Sequence, residues 1–148
     1  MLTRIKFAGL ILIMVSIPCF GREVVSDRLL DAIMQVESGG RADVVGDKGE
    51  AIGAYQLHRI YVDEVNRILY ITSKRKNAID TYGYADRLDR DKSRSMTLIY
   101  LTYWAKYHKL TDPAQICRLH NGSPLTGHKL KSTLRYSKKV MAIYNRSK

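Results

Sequence analysis

The chain has 148 residues, of which 45% are hydrophobic, and its formal net charge is +11. This length allows one domain with a hydrophobic core and excludes two domains of ordinary size. The positive charge suits an anionic polymer. Nucleic acid is disfavoured, because no helix-turn-helix or base-stacking motif stands out in the sequence.

The N-terminus has the pattern of a secretory signal peptide. Arg4 and Lys6 precede an apolar run over residues 7–20, and Cys19-Phe20-Gly21 places small residues where a signal peptidase cleaves. The run is short for a permanent anchor, although retention as one remains an alternative. We therefore predict a signal peptide over residues 1–21 and an exported domain over residues 22–148, in the periplasm, outside the cell or in the cell wall. Membrane contact is expected only through the signal peptide.

Cleavage at that point leaves Cys117 as the single cysteine, so the exported domain has no internal disulfide. Its apolar surroundings in sequence favour a buried, unreactive thiol. The four histidines are dispersed and lack the spacing of a metal site, so the sequence predicts neither a metal nor a cofactor.

After the signal peptide, the sequence predicts a series of helices. Ser26 or Asp27 caps a first helix over residues 27–38, which Gly39-Gly40 ends. The glycine-punctuated residues 41–53 predict a loop or a small β-hairpin. Helical periodicity returns over residues 54–69 and predicts a second helix.

No element is predicted for residues 70–91. Asp91 or Ser93 is expected to cap a third helix that runs to residue 107, and Asp112-Pro113 opens a fourth that stops at the turn residues 121–124. A last helix is expected over residues 133–144. On helical spacing, most of the aromatic side chains of the third helix, Trp104 among them, are assigned to the core.

Glu37 is the candidate for chemistry, because it closes the first helix beside two glycines. Three further stretches follow it in order: Ala51-Ile52-Gly53-Ala54-Tyr55-Gln56-Leu57, Leu119-His120-Asn121-Gly122, and Thr133 to Val140 with Tyr144 beyond. Together with Glu37-Ser38 they resemble the motifs of the soluble lytic transglycosylase family, within the lysozyme-like superfamily. The sequence departs from that pattern at Glu50, His120 and Ser132, where the family has Gly, Tyr and Glu.

The resemblance implies a mainly α, lysozyme-like α+β fold, with helices around a substrate cleft and a short loop or β-hairpin on one wall. It implies a monomeric enzyme without a cofactor that acts on peptidoglycan glycan strands. Glu37 would serve as acid and then as base, cutting the β-1,4 bond between N-acetylmuramic acid and N-acetylglucosamine and leaving a 1,6-anhydromuramyl end. By the same resemblance, the substrate-binding residues would be Ser38, Tyr55, Gln56, Asn121 and Tyr136.

Two alternatives remain open from the residues themselves. A hydrolytic muramidase needs a second carboxylate near Glu37, and Asp43, Asp47 and Glu50 are the candidates. The two aspartates equally suit turn stabilisation. A non-catalytic cell-wall-binding module would keep the groove while leaving Glu37 without a chemical step.

Overall fold

The computed structural model describes residues 23–73 and 81–146, so the predicted signal peptide lies outside the described residues. This part of the chain is mainly helical with one small antiparallel sheet, which confirms the predicted mainly α class. No helix within it is long and apolar enough to span a membrane. The elements are α1 Asp27–Ser38, β1 Val45–Gly46, β2 Ala51–Ile52, α2 Arg59–Thr72, α3 Arg90–Tyr107, α4 Pro113–Asn121 and α5 Leu134–Tyr144.

Helix α1 has the ends that its sequence predicts. The Ser26 hydroxyl accepts a hydrogen bond from the Leu29 N–H, and Gly39 ends the helix in the left-handed region at φ 65°. Leu29, Leu30 and Ile33 are fully buried along one face of the helix. This face packs against α5, so the two ends of the described chain meet in the core.

The core runs from α1 through the C-terminal helices. Helix α5 packs on α4, α4 packs on α3, and α3 packs on α2. All buried hydrophobic residues of the described chain lie between Val25 and Val140, so a chain that starts at residue 22 keeps all of them. Cys117 is buried there as predicted, and burial raises the pKa of its thiol to about 11.

Two predicted helix starts are corrected. Helix α2 begins at Arg59 rather than at residue 54, because Ala54 and Tyr55 are buried in a turn and Gln56 has a positive φ of 49°. Their apolar spacing comes from this turn and not from a helix. Helix α3 begins at Arg90, since Asp89 caps it by accepting from two backbone N–H groups.

Candidate binding groove

A continuous groove runs across one face of the molecule. It consists of a cavity of about 460 Å³ between α2 and the end of α4, and a second of about 280 Å³ between the end of α1 and the β-hairpin. The two cavities share four lining residues, Gln56, His58, His120 and Asn121. We call this combined depression the groove.

Glu37 lies in the floor of the groove. Glu37 belongs to the last turn of helix α1, and 18% of the Glu37 side chain is exposed. Its Oε1 atom lies 3.5 Å from Nε2 of His120, whose side chain is 4% exposed. The carboxylate is therefore shielded on one side and open to the groove on the other.

His120 is held by hydrogen bonds at both ring nitrogens. Nε2 lies 3.0 Å from the Tyr55 carbonyl oxygen, which can only accept, so Nε2 carries the proton. Nδ1 then accepts from the Tyr61 hydroxyl at 3.2 Å. Burial lowers the pKa of His120, while Glu37 partly opposes that shift, so the ring is neutral, with its Nε2–H donated to Tyr55 and the Glu37 carboxylate 3.5 Å from the same nitrogen.

Tyr136 lies beside Glu37, beneath the floor of the groove. The residue is 9% exposed, and its hydroxyl makes no hydrogen bond of good geometry within the described chain. Burial, and then the Glu37 carboxylate, raise its pKa well above the usual value. The phenol therefore stays protonated beside Glu37, as a donor available to that carboxylate or to a ligand.

One side of the groove is aromatic. Tyr61 from α2 and Tyr100 from α3 stack with their ring centroids 4.0 Å apart, and both line the larger cavity. Glu64, one turn after Tyr61, lies at the same surface and accepts from the Trp104 indole N–H at 3.1 Å. Trp104 is itself a buried core residue, as its helical spacing predicts.

Three residues that the sequence assigns to ligand binding make hydrogen bonds within the fold, and of these Gln56 also lines both cavities. The Ser38 hydroxyl donates to the Ala54 carbonyl at 2.8 Å, and this bond ties the end of α1 to the turn before α2. The Gln56 amide donates to the carbonyls of Val44 and Gly53. Tyr55 is fully buried with its hydroxyl on Arg94, so only its backbone carbonyl reaches the groove residues.

Asn121 and Asp47 are placed at the groove surface. Asn121 is exposed at the last turn of α4 and lines both cavities. Asp47 lines the smaller cavity opposite Glu37, but its carboxylate lies 3.5 Å from the His58 ring. Asp43 and Glu50 are exposed and do not line either cavity.

The hairpin wall of the groove is clamped by a buried arginine. Arg87 is 3% exposed and donates to three backbone carbonyls, those of Tyr84, Glu50 and Leu57. Gly53 has a φ of 84°, and a Cβ atom there would collide with the Arg87 carbonyl oxygen. The hairpin can therefore approach Arg87 this closely only with glycine at position 53.

The opposite wall is the loop between α4 and α5, residues 122–130, which we call the loop wall. Arg118 is also buried and donates to the Thr133 hydroxyl and the Leu130 carbonyl, both at 2.8 Å. A histidine pair supports the same loop. His108 Nε2 lies 2.8 Å from the Pro124 carbonyl, and its ring lies 4.3 Å from that of His128.

Sequence reasoning missed Tyr61 and Glu64, and it treated His120 only as a replacement for tyrosine. Tyr61 and Glu64 lie three residues apart on an amphipathic helix, so the sequence indicates that they share one face of it. The sequence does not indicate that this face borders a groove. The position of His120 depends on Tyr55 and Tyr61, which are 65 and 59 residues away. Within the described residues, no group of three or more histidine, cysteine or acidic side chains could hold a metal ion.

No family model and no curated protein matches the chain. Among solved structures, the chain is similar to one in the crystal structure of Aeromonas hydrophila PliI in complex with Meretrix lusoria lysozyme. The identity is 24%, the match covers 84% of this chain and 94% of that chain, and the TM-score is 0.63. At this identity the likeness shows the fold alone.

These comparisons contradict the predicted membership in the soluble lytic transglycosylase family, since no family model matches and the similar structure is a complex of PliI with a lysozyme. On this finding the family prediction is wrong. The predicted lytic transglycosylase, its muramidase alternative and the class of enzyme depended on it and are corrected with it. The physical reason lies in the motifs. Ser38, Gly53 and Gln56 hold the helix and hairpin together, so their pattern reports a local structure rather than a reaction.

Proposed function

We propose that the protein is an exported binding protein of lysozyme-like fold that takes peptidoglycan glycan strands in the groove. The observation that carries the proposal is the floor of the groove, where the Glu37 carboxylate, 18% exposed, lies beside a neutral imidazole and the protonated Tyr136 phenol. The exposed part of this carboxylate needs hydrogen-bond donors, so the floor favours a ligand with hydroxyl and amide groups.

The shape of the groove agrees with an extended glycan. Two adjacent cavities with shared lining accommodate consecutive sugar units, whereas a compact ligand would need one. Tyr61 and Tyr100 are largely buried, but the parts of them that line the larger cavity offer a small apolar surface to a sugar ring. The exposed Asn121 amide has donors and an acceptor for an acetamido group, and Glu37 accepts from sugar hydroxyls.

The test is sedimentation of the chain from residue 22 onward with purified peptidoglycan, with soluble N-acetylglucosamine oligomers as competitor. We expect the wild-type protein to sediment with the walls and to be released by the oligomers. Asn121→Ala and Glu37→Gln should each weaken binding by about fivefold to tenfold, since one hydrogen bond to a ligand contributes ~1 kcal/mol.

Matched controls lie outside the groove. Asn145→Ala removes an exposed asparagine just after α5, and Glu50→Gln removes an exposed hairpin carboxylate. Both should sediment like the wild type. Equal binding by all four variants would place the glycan elsewhere and overturn the proposal. Clearing of the walls by the wild-type protein, lost in Glu37→Gln, would overturn the binding role in favour of catalysis.

A lysozyme is the second candidate partner, because the similar crystal structure is of PliI in complex with a lysozyme. The readout is a lysozyme assay on purified walls, with and without an excess of this protein. If a lysozyme is the partner, the two proteins co-elute in gel filtration and wall clearing slows. Unchanged clearing and separate elution would remove this candidate and leave the glycan proposal standing.

A further inference from the structure

The positive charge of the chain is concentrated at its C-terminal end. Residues 113–148 carry eight lysine and arginine residues and no aspartate or glutamate, which accounts for most of the net charge of +11. Residues 22–112 carry fifteen basic and fourteen acidic residues. The last quarter of the chain therefore presents an uncompensated positive field, whereas residues 22–112 are close to neutral.

Helix α5 gathers this charge on one face. Lys131, Arg135, Lys138 and Lys139 are spaced by three or four residues, so they share one side of the helix and the turn before it. We call these four residues the basic face. All four are exposed, and none of them forms an ion pair within the described residues. The opposite side of α5 carries buried Tyr136, Ser137 and Val140.

Two exposed leucines border the basic face. Leu130 is 41% exposed and Leu134 is 45% exposed, although both lie among lysines and an arginine. Leu134 precedes Lys138 by one helical turn, and Leu130, in extended backbone, directly precedes Lys131 at the start of the turn that leads into α5. A soluble anionic polymer would use the cations only, whereas cations bordered by exposed leucines match the layered polarity of a membrane surface.

We propose that the basic face of α5, with Leu130 and Leu134, docks the protein on an anionic phospholipid membrane. The cations would lie among the lipid phosphates, and the leucines would enter the boundary between headgroups and acyl chains. Leu130 ends the loop wall, but neither it, Leu134 nor any residue of the basic face lines the two cavities of the groove, so the docking surface and the cavity lining share no residue. The proposal goes beyond glycan binding and stands independently of it.

The experiment is vesicle sedimentation with the chain from residue 22 onward, which keeps all buried hydrophobic residues of the described chain and lacks the apolar leader. Vesicles of phosphatidylcholine alone are compared with vesicles that also contain phosphatidylglycerol. We expect binding only with the anionic lipid, and loss of binding at high salt. The triple variant Arg135→Gln, Lys138→Gln, Lys139→Gln should bind on the order of 100-fold more weakly, at ~1 kcal/mol for each cation.

The matched control removes the same charge elsewhere. Lys48→Gln, Lys106→Gln and Lys109→Gln change exposed lysines of the hairpin turn and of the end of α3. This variant should lose only the small part of binding that depends on total charge. If it loses as much as the α5 variant, net charge alone attracts the protein to lipid and the basic face has no special role, which overturns the proposal.

The leucines separate a membrane from a soluble polyanion. Leu130→Gln with Leu134→Gln should lower vesicle binding by about tenfold, because their partial burial in lipid is lost. Leu88→Gln with Leu98→Gln, exposed leucines of other elements, should not. If both leucine variants bind vesicles like the wild type, and soluble polyglycerol phosphate displaces the protein fully, the partner is a polymer and the membrane proposal fails.

Discussion

The two walls of the groove are each held by a buried arginine, but the loop wall is also supported by a pair of histidines. A buried arginine clamps each wall through hydrogen bonds to backbone carbonyls, Arg87 for the hairpin and Arg118 for the loop wall. Around Arg87 the partners are backbone groups that do not titrate. The loop wall also depends on the contact between the rings of His108 and His128, and the pKa of His128 is lowered by burial. The hairpin should therefore be the fixed wall, and the loop the wall that responds to acid.

The largest expected effect tests how tightly the hairpin wall is fixed. Gly53→Ala places a methyl group against the Arg87 carbonyl at a positive φ, which should destabilise the fold by about 3–5 kcal/mol from clash and strain together. Gly49→Ala is the matched control, since Gly49 also has a positive φ but nothing near its Cβ position. It should cost about 1–2 kcal/mol. Urea unfolding measures both, and equal losses would mean that the close approach is unimportant.

The two clamps can be compared directly. Arg87→Met leaves three buried carbonyls without a charged donor and should lower the free energy of unfolding by about 3 kcal/mol. Arg118→Met removes bonds to one carbonyl and one hydroxyl and should cost about 2 kcal/mol. Arg135→Met, an exposed arginine, serves as the control in the same urea series. If Arg118→Met lowers the free energy of unfolding more than Arg87→Met does, the loop wall is the more firmly held of the two, contrary to the proposal.

The smallest effect is the acid response of the loop wall. Burial, His108, Lys129 and Arg118 all lower the pKa of His128. Burial also lowers the pKa of His120 against the opposing charge of Glu37, and this second pH dependence belongs to the groove floor rather than to the loop wall. The unfolded chain therefore takes up these protons first. The contribution of each neutral histidine to the free energy of unfolding is fully present above pH ~6.5. It falls below that pH by at most about 1.4 kcal/mol per pH unit for each histidine.

Hydrogen exchange locates this response. Between neutral and mildly acidic pH, protection of the Gly127 and Leu130 amides in the loop wall should fall more than that of the Gly53 amide in the hairpin. His128→Gln should reduce the pH dependence of the free energy of unfolding. An unchanged slope in that variant, or equal loss of protection in both walls, would contradict the assignment of acid sensitivity to the histidine pair.

The sequence predicted those parts of the molecule that depend on local chemistry. Ser26, Gly39 and the Asp112-Pro113 pair set helix ends through bonds to their own neighbours, and these ends lie where expected. The start of α2 was misplaced, because Ala54 and Tyr55 are apolar for a tertiary reason. They fill the core from a turn, and a periodic pattern cannot distinguish that from a helical face.

The site was predictable only in part, because its residues act across long separations. Glu37 was singled out by its position at the end of a helix and Asn121 by the family motif, and both line the groove. Ser38 and Gln56 were also singled out by motifs, yet their side chains bind backbone carbonyls. Residue type and order do not reveal which way such a polar group turns. The burial of the Tyr136 hydroxyl beside Glu37 becomes visible only when its surroundings are known.

The central claim, that the groove binds glycan strands, is tested most directly by nuclear magnetic resonance during titration with a peptidoglycan tetrasaccharide. The account predicts saturable shifts at Glu37, Tyr61 and the Asn121 side-chain amide, with the basic face of α5 unaffected and the tetrasaccharide intact by mass spectrometry. Shifts confined to other surfaces, no shifts at all, or cleavage of the tetrasaccharide would contradict it.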